Sequence, residues 1–382
     1  ASLDASSATR VRPFAIRSPR SSIFVDVPLA FHMTAPPEQL VRILQGFASL
    51  QPPRTITFPS SLPWRQVHDF VLNFILLNEH FRDYPPSEQY QSTFWKWAIA
   101  RLEEFACAEA CAGTNVPILR MMRLMNEYII AISHSYHVPF RMSLNISPYV
   151  IVNSRRGDTV GTAPPARSFV TYIWKAGESE NSAVYPGYAS ATLMEARTTI
   201  ESGTTGLRTW SASLILAQHI ISHPALVQHK CVLELGCGIG FLGVVAASVQ
   251  QQLGDASDAP STLWLTDVND TVLQKCQENL QLPCNQSFCH PNLKFEQLDW
   301  SDALAAASRP ALQAFFQEVK PHIVLGADVV FDPSIIPALV NTLHLALQSG
   351  VDDEDSTPVA YLALTVRNGD TYSEFIQVAG EL

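Results

Sequence analysis

No run of 18 consecutive apolar residues occurs in the chain, although 47% of its 382 residues are apolar, so no segment reads as a membrane-spanning helix. Charge is sparse at 16%, and the basic sign is the scarcer: 25 Lys and Arg face 35 Asp and Glu, a formal charge of −10. A general affinity for nucleic acid needs a basic footprint, and this balance argues against one. The shortage is uneven. Residues 1–150 carry 13 basic and 11 acidic side chains, net +2, whereas residues 151–382 carry 12 and 24, net −12. A cationic substrate or a basic partner suits the second part. No pair of cysteines forms a C-x-x-C among Cys107, Cys111, Cys231, Cys237, Cys276, Cys284 and Cys289. An odd count in a large chain reads as reduced thiols in an intracellular compartment. No metal is expected; Cys284, Cys289 and His290 could supply zinc ligands, but this is the weaker reading. The chain also lacks an initiator Met, so its true start is expected upstream. The opening "ASLDASSATRVRPFAIRSPR" is rich in Ser and Arg and poor in acid; a disordered tail over 1–35 is preferred to a transit peptide.

Helical spacing dominates the next segment. "PPEQLVRILQGFASL" puts Leu40, Ile43, Leu44 and Phe47 on one face, and "WRQVHDFVLNFILLNEHF" repeats the pattern with Val67, Phe70, Val71, Phe74 and Leu77. Two more helices are expected near 88–111 and 117–134, with Phe94, Trp95, Trp97 and Phe105 as core. This makes 36–150 a helical N-terminal domain, expected to contribute nothing to a cofactor site. Residues 151–200 read as a linker, from the dense Asn, Ser, Gly and Pro over 145–169. From 201 to 382 the texture becomes α/β. The runs "CVLELGC", "TLWLTDV", "LKFEQLDW", "HIVLGADVV" and "VAYLALTV" are apolar strands separated by amphipathic helices such as "DTVLQKCQENL" and "PSIIPALVNTLHLAL". Continuously apolar strands alternating with helices predict a Rossmann-like parallel sheet covered on both faces. The helix "WSASLILAQHIISH" before the first of these strands is expected to turn Leu214, Ile215, Ala217 and Ile221 inward.

The stretch "VLELGCGIGFLG" fits two fingerprints. "GIGFLG" is the G-x-G-x-x-G of dinucleotide sites, and "ELGCGIG" is an acidic residue followed by alternating glycines. In a doubly wound sheet the ligand lies across the carboxyl ends of the strands. Gly236, Gly238 and Gly240 would let the backbone approach it closely. A pyrophosphate wants a helix N-terminus, whereas a sulfonium with an amino-acid tail wants an acid, which Glu234 supplies through backbone or water. The segment preceding the fingerprint also argues against a dehydrogenase, and S-adenosylmethionine is the favoured cofactor. Asp267, at the next strand end, is placed to accept from both ribose hydroxyls. Trp300 could border the adenine with Asp299 near its exocyclic amine, the competing readings being a loop cap and a Trp buried under a loop.

The set "VLELGCGIG", "LTDVN", "LDW" and "LGADVVFDP", preceded by "GTTGLRTWSASLILA", resembles the seven-β-strand (class I) methyltransferases of the family-16 protein-lysine type. The runs "ESGTTGLRTW" and "LTVRNGDTYSEF" and the helical extension resemble the family-86 branch, which methylates a lysine of translation elongation factor 2. The likeness covers about 200–376. It implies an S-adenosylmethionine-dependent protein-lysine N-methyltransferase with elongation factor 2 as protein partner, and no nucleic-acid or membrane partner. Carried over by residue, the donor would touch Trp210, the turn Gly236-Cys237-Gly238, Asp267, Trp300 and Ala327. The D-x-x-F motif falls on Asp328 and Phe331, where Asp328 would attract and orient the acceptor ammonium and Phe331 would offer it a ring face. Asp332, ahead of Pro333, is the better helix cap. A nucleic-acid or small-molecule methyltransferase is the runner-up, though the Pro-Pro-aromatic run common in amine-directed nucleic-acid enzymes is missing. A non-catalytic module of the same fold is the third reading. This fold ordinarily adds a two-stranded hairpin after "TYSEFIQVAGEL", so the C-terminal hairpin is expected to be missing and one sheet edge open.

Overall fold

The computed structural model describes residues 37–111, 167–176, 184–196, 198, 203–251, 261–349 and 357–381. The tail expected at 1–35 and the helix expected at 117–134 lie outside them.

Glu38–Ala48 forms the first helix and buries Leu40, Ile43, Leu44 and Phe47, the face its spacing predicts. Phe47 anchors an aromatic cluster, with ring centroids 5.1 Å from Phe81 and 4.7 Å from Phe94. Trp64 opens the next helix, Trp64–Val71, and its indole N–H donates to the Leu102 carbonyl at 2.9 Å, tying that helix to Glu88–Cys111. The expected face fails at its end. Leu72–Leu76 is a π-helical turn, which advances the chain out of the 3.6-residue period and leaves Leu77 exposed while Val67, Phe70 and Val71 are buried.

The linker expected over 151–200 is corrected by two strands inside it. β1 (Ser168–Lys175) pairs antiparallel with β2 (Tyr188–Glu195), from Ser168 opposite Glu195 to Lys175 opposite Tyr188. Residues 189–193 are buried without a break because the ribbon is covered on both sides. Ile173, Val184 and Tyr185 belong to the core of the helical region, and Ala191 and Leu193 to that of the larger sheet. Polar ties run both ways. Gln45 donates to the Ile173 carbonyl and Asn78 to that of Val184, each at 3.0 Å. His80 Nε2 lies 3.2 Å from Thr171 Oγ1 and 3.1 Å from Thr192 Oγ1, and burial lowers its pKa from 6.5 to about 4, so the ring there is neutral. On the opposite side Asn279 accepts from Met194 N at 2.9 Å, and Asn285 exchanges two 2.8 Å bonds with the Thr192 backbone. The ribbon therefore belongs to both the helical and the sheet regions.

β3 (Cys231–Leu235), β4 (Thr262–Asp267), β5 (Leu293–Gln297), β6 (Ile323–Ala327) and β7 (Val359–Ala363) make one parallel sheet in the order β5-β4-β3-β6-β7. All five fall on the apolar runs of the sequence. Along β3 the period of two sends Val232 to one core and Leu233 and Leu235 to the other. Phe241–Gln251, with every residue from Phe241 to Gln250 buried, packs on the first face with Ser211–Ser222; Arg309–Val319 and Ile336–Gln348 cover the second. The helix Ser211–Ser222 is turned differently from expectation. Ala212, Ser213, Leu216, Ala217 and Ile220 face inward, whereas Leu214 is 38% and Ile215 65% exposed. Ala212, Ser213 and Ala217 let the helix approach its neighbours closely, with Leu216 and Ile220 filling the contact. Among the described residues β7 pairs with β6 at one end of the sheet order.

Candidate active site

The carboxyl ends of β3, β4 and β6 bring the sequence-predicted residues to one rim. Gly236, Gly238 and Gly240 all have positive φ, +68°, +54° and +88°. The alternating glycines are thus required by the backbone itself and not only by approach of a ligand, a correction to the steric reading. A Cβ on Gly238 would lie 3.1 Å from the Gly206 carbonyl oxygen, so the 204–210 loop rests directly on the turn. Gly240 does not face the rim: its Cβ would meet Cys276 Sγ and Leu280 at 2.6 Å, which makes it a packing residue against Asp270–Leu280. Cys237 is buried and donates its backbone N–H to the Thr266 carbonyl at 2.8 Å. The Trp300 ring would border a Cβ on Gly236 at 3.4 Å.

Glu234 lies beneath this turn, 2% exposed, and its Oε2 has no hydrogen-bond partner. Burial, with the like charge of Asp267 second, raises its pKa from 4.5 to about 8. Asp267 staples the turn to β4. Its Oδ2 accepts from Gly238 N at 3.1 Å and its Oδ1 from Asn269 N at 3.0 Å. Burial raises its pKa, and the backbone N–H donors partly offset this. A carboxylate offers about four acceptor sites, so lone pairs remain for a ligand. Asp299 is exposed and caps the short helix Trp300–Ala303 by accepting from Ser301 N at 2.8 Å; the competing loop-cap reading describes its geometry. Ala327 ends β6, half-buried. Trp210 stands at the N-cap of Ser211–Ser222 and donates its indole N–H to the Thr205 carbonyl at 3.0 Å.

Asp328 differs most from expectation. Its φ is +59°, a left-handed conformation that Asp tolerates better than most residues, and the side chain, 4% exposed, turns toward the segment after β7. Oδ1 accepts from Thr365 N at 3.0 Å and Arg367 Nη1 at 3.3 Å; Oδ2 accepts from Arg367 Nη2 at 2.7 Å and Thr365 Oγ1 at 3.3 Å. Four donors fill about all its acceptor sites. An acceptor ammonium could reach these oxygens only by displacing Arg367 or Thr365. An ammonium cannot reproduce the planar fork. Asp328 thus fastens the 365–367 segment to β6, with its oxygens engaged by Arg367 and Thr365 where an acceptor ammonium was expected. Phe331, by contrast, is 59% exposed and lines a cavity of about 40 Å³ with Leu364, Val366, Arg367 and Tyr372. Asp332 caps the following turn by accepting from Ser334 N at 2.9 Å, as its place before Pro333 predicts.

Sequence reasoning did not single out Arg367, Thr365, Glu195, Asn279 or Asn285. Glu195 is buried, and its carboxylate accepts from Thr209 Oγ1 at 2.6 Å and Tyr172 Oη at 3.1 Å, pinning the end of the 204–210 loop; burial raises its pKa. Arg367 carried a usable signal, since it lies inside the quoted run "LTVRNGDTYSEF". His290 Nε2 is 2.9 Å from Gln250 Oε1, and no group of three or more metal-ligating side chains occurs among the described residues. No described helix is long and apolar enough to cross a membrane.

Residues 191–377 match the family model described as lysine methyltransferase. The chain is 35% identical over 192 residues to the protein-lysine N-methyltransferase EFM3 of Chaetomium thermophilum, a match covering 50% of this chain and 51% of that protein. It is 30% identical over 210 residues to the human protein-lysine N-methyltransferase EEF2KMT, with 53% and 58% covered. The human putative protein N-methyltransferase FAM86B1 is 31% identical over 198 residues, with 50% and 54% covered. The chain therefore spans about half the length of the curated relatives it matches.

Proposed function

We propose that this chain, whose residues 191–377 belong to the lysine methyltransferase family, transfers a methyl group from S-adenosylmethionine to a lysine side chain of a folded protein, translation elongation factor 2. The observation that carries the reading is the convergence, on one rim of a parallel sheet, of the glycine turn, Asp267 with lone pairs to spare and Trp300, above the buried carboxyl group of Glu234. That donor set fits S-adenosylmethionine: an acid beneath the turn for a cationic ligand, a carboxylate for ribose hydroxyls and an indole for the adenine. Of the residues expected to contact the donor, Trp210, Gly236, Cys237 (through its backbone), Gly238, Asp267, Trp300 and Ala327 remain candidates. The relatives' printed names support the lysine acceptor, and a cytoplasmic location goes with the substrate.

The bound donor would supply an electrophilic methyl carbon. Transfer would join that carbon to the amine nitrogen, with the sulfur–carbon electron pair left on sulfur and the amine's proton released to water. At pH 7 a lysine of pKa about 10.4 is neutral in about one part in two thousand, a cost of about 4–5 kcal/mol. Phe331 bears on that cost through its apolar surface beside the cavity, which disfavours the charged form of an amine packed against it. Most of the remaining acceleration is positioning.

The test is methyl transfer from S-adenosylmethionine carrying a tritiated methyl group. The full chain is offered intact elongation factor 2, a version with the labelled lysine changed to arginine, and total RNA. Label in the intact factor alone is the expected result. Label in RNA would favour the nucleic-acid alternative, and label surviving the arginine change rejects the lysine site.

A further inference from the structure

We propose that Arg367 is a positioning residue of the donor site, holding the 204–210 loop as a roof over the glycine turn. The inference rests on the reading that S-adenosylmethionine binds at this rim. A continuous set of contacts carries it. The guanidinium forks onto the Asp328 carboxylate at 2.7 and 3.3 Å, and its Cζ lies 5.1 Å from the centroid of the Trp210 ring. Trp210 in turn donates to the Thr205 carbonyl at 3.0 Å, and the neighbouring Gly206 carbonyl oxygen lies 3.1 Å from the Cβ position of Gly238. Thus the end of β6, the segment after β7 and the loop over the turn meet at one side chain. Core filling does not account for it, because the Arg367 side chain is 47% exposed. Its planar head does two jobs at once, forking onto a carboxylate and lying over an indole, which a lysine ammonium cannot reproduce. Glu195 holds the backbone beside Trp210 by accepting from Thr209, so what Arg367 adds is the position of the indole itself, which in turn bonds Thr205.

Calorimetric titration with S-adenosylhomocysteine, the demethylated product, tests this on the full chain and on Arg367→Met, Trp210→Leu, the double variant and Arg367→Lys. Arg367→Met and Trp210→Leu are each expected to weaken binding about tenfold, and the double variant no further, because both remove one coupled contact. Arg367→Lys should fall between wild type and Arg367→Met. Unchanged affinity in Arg367→Met, or losses that multiply to about a hundredfold in the double variant, overturns the proposal while leaving the donor reading intact. A wild-type chain that binds no product overturns both. If Arg367→Met shows no cooperative unfolding transition, Arg367→Lys decides: full affinity sinks the proposal and weakened affinity supports it.

Discussion

Replacing Glu234 by Gln should stabilise the protein, and increasingly so as pH rises. The carboxyl group is 2% exposed, one of its oxygens has no partner, and burial with the nearby Asp267 raises its pKa from 4.5 to about 8. The folded chain therefore keeps this proton until about pH 8, whereas the unfolded chain loses it near 4.5. Between those values the folded state binds more protons, so this group's contribution is fully present below the lower value and is lost as pH rises through the upper one. At 1.36 kcal/mol per pKa unit the interval is worth about 5 kcal/mol, and relaxation of a buried site brings the expectation to about 2–5 kcal/mol. Gln keeps the shape and cannot ionise. In urea unfolding the Gln variant should match wild type near pH 4.5 and exceed it by that amount above pH 8; taking the difference cancels the other titrating groups. A flat difference, or a wild type that gains on the variant as pH rises, would mean that the carboxylate is ionised and satisfied, and the argument would fail. The same state predicts a functional signature. Cationic S-adenosylmethionine arriving above a neutral Glu234 should draw it toward the carboxylate, so binding at pH 7 should release a proton that the Gln variant does not. Titration in two buffers of different ionisation enthalpy measures this.

Asp267→Ala removes the staple on Gly238 N and the acceptor for ribose hydroxyls, and should weaken S-adenosylhomocysteine by about 1–3 kcal/mol in calorimetry; undiminished affinity would take Asp267 out of the donor site. Asn285→Ala strands the Thr192 N–H and carbonyl and removes one of the donors on the Asn279 carbonyl, so urea unfolding should show a loss of about 2–4 kcal/mol, and a change within error would mean the ribbon is held otherwise. Phe331→Ala should raise the apparent KM for the protein acceptor severalfold while leaving product affinity unchanged, since the ring lines the cavity outside the glycine turn; equal effects on both would move Phe331 into the donor site.

What could be read in advance follows the physics of each element. β3 to β7 were legible because strands of a covered parallel sheet need apolar residues on both faces, and such runs stand out between turns. β1 and β2 were not, because one partner of their ribbon is a set of polar side chains: Asn279 and Asn285 supply hydrogen bonds to its backbone from positions that read as ordinary helix and loop surface. In "SASLILAQHIIS" apolar residues surround the helix, so periodicity could not choose a face. Packing chose the face of Ala212, Ser213, Leu216, Ala217 and Ile220, on which three small side chains allow close approach.

The three strand-end aspartates make the same point for the site. All three carry the same signal in the sequence, an acid where a strand meets the rim, yet the structure gives each a different set of donors. Asp299 spends itself on the turn it begins and is exposed; Asp267 holds two backbone N–H groups and keeps capacity; Asp328 is filled by an arginine and a threonine that arrive 37 to 39 residues later. Position in the sheet sets which carboxylates face the rim, and the count of donors already on each decides which is left to meet a ligand. By that count Asp267 is the group on which binding should turn, and Asp328 the one through which the segment after β7 is held to the rest of the site.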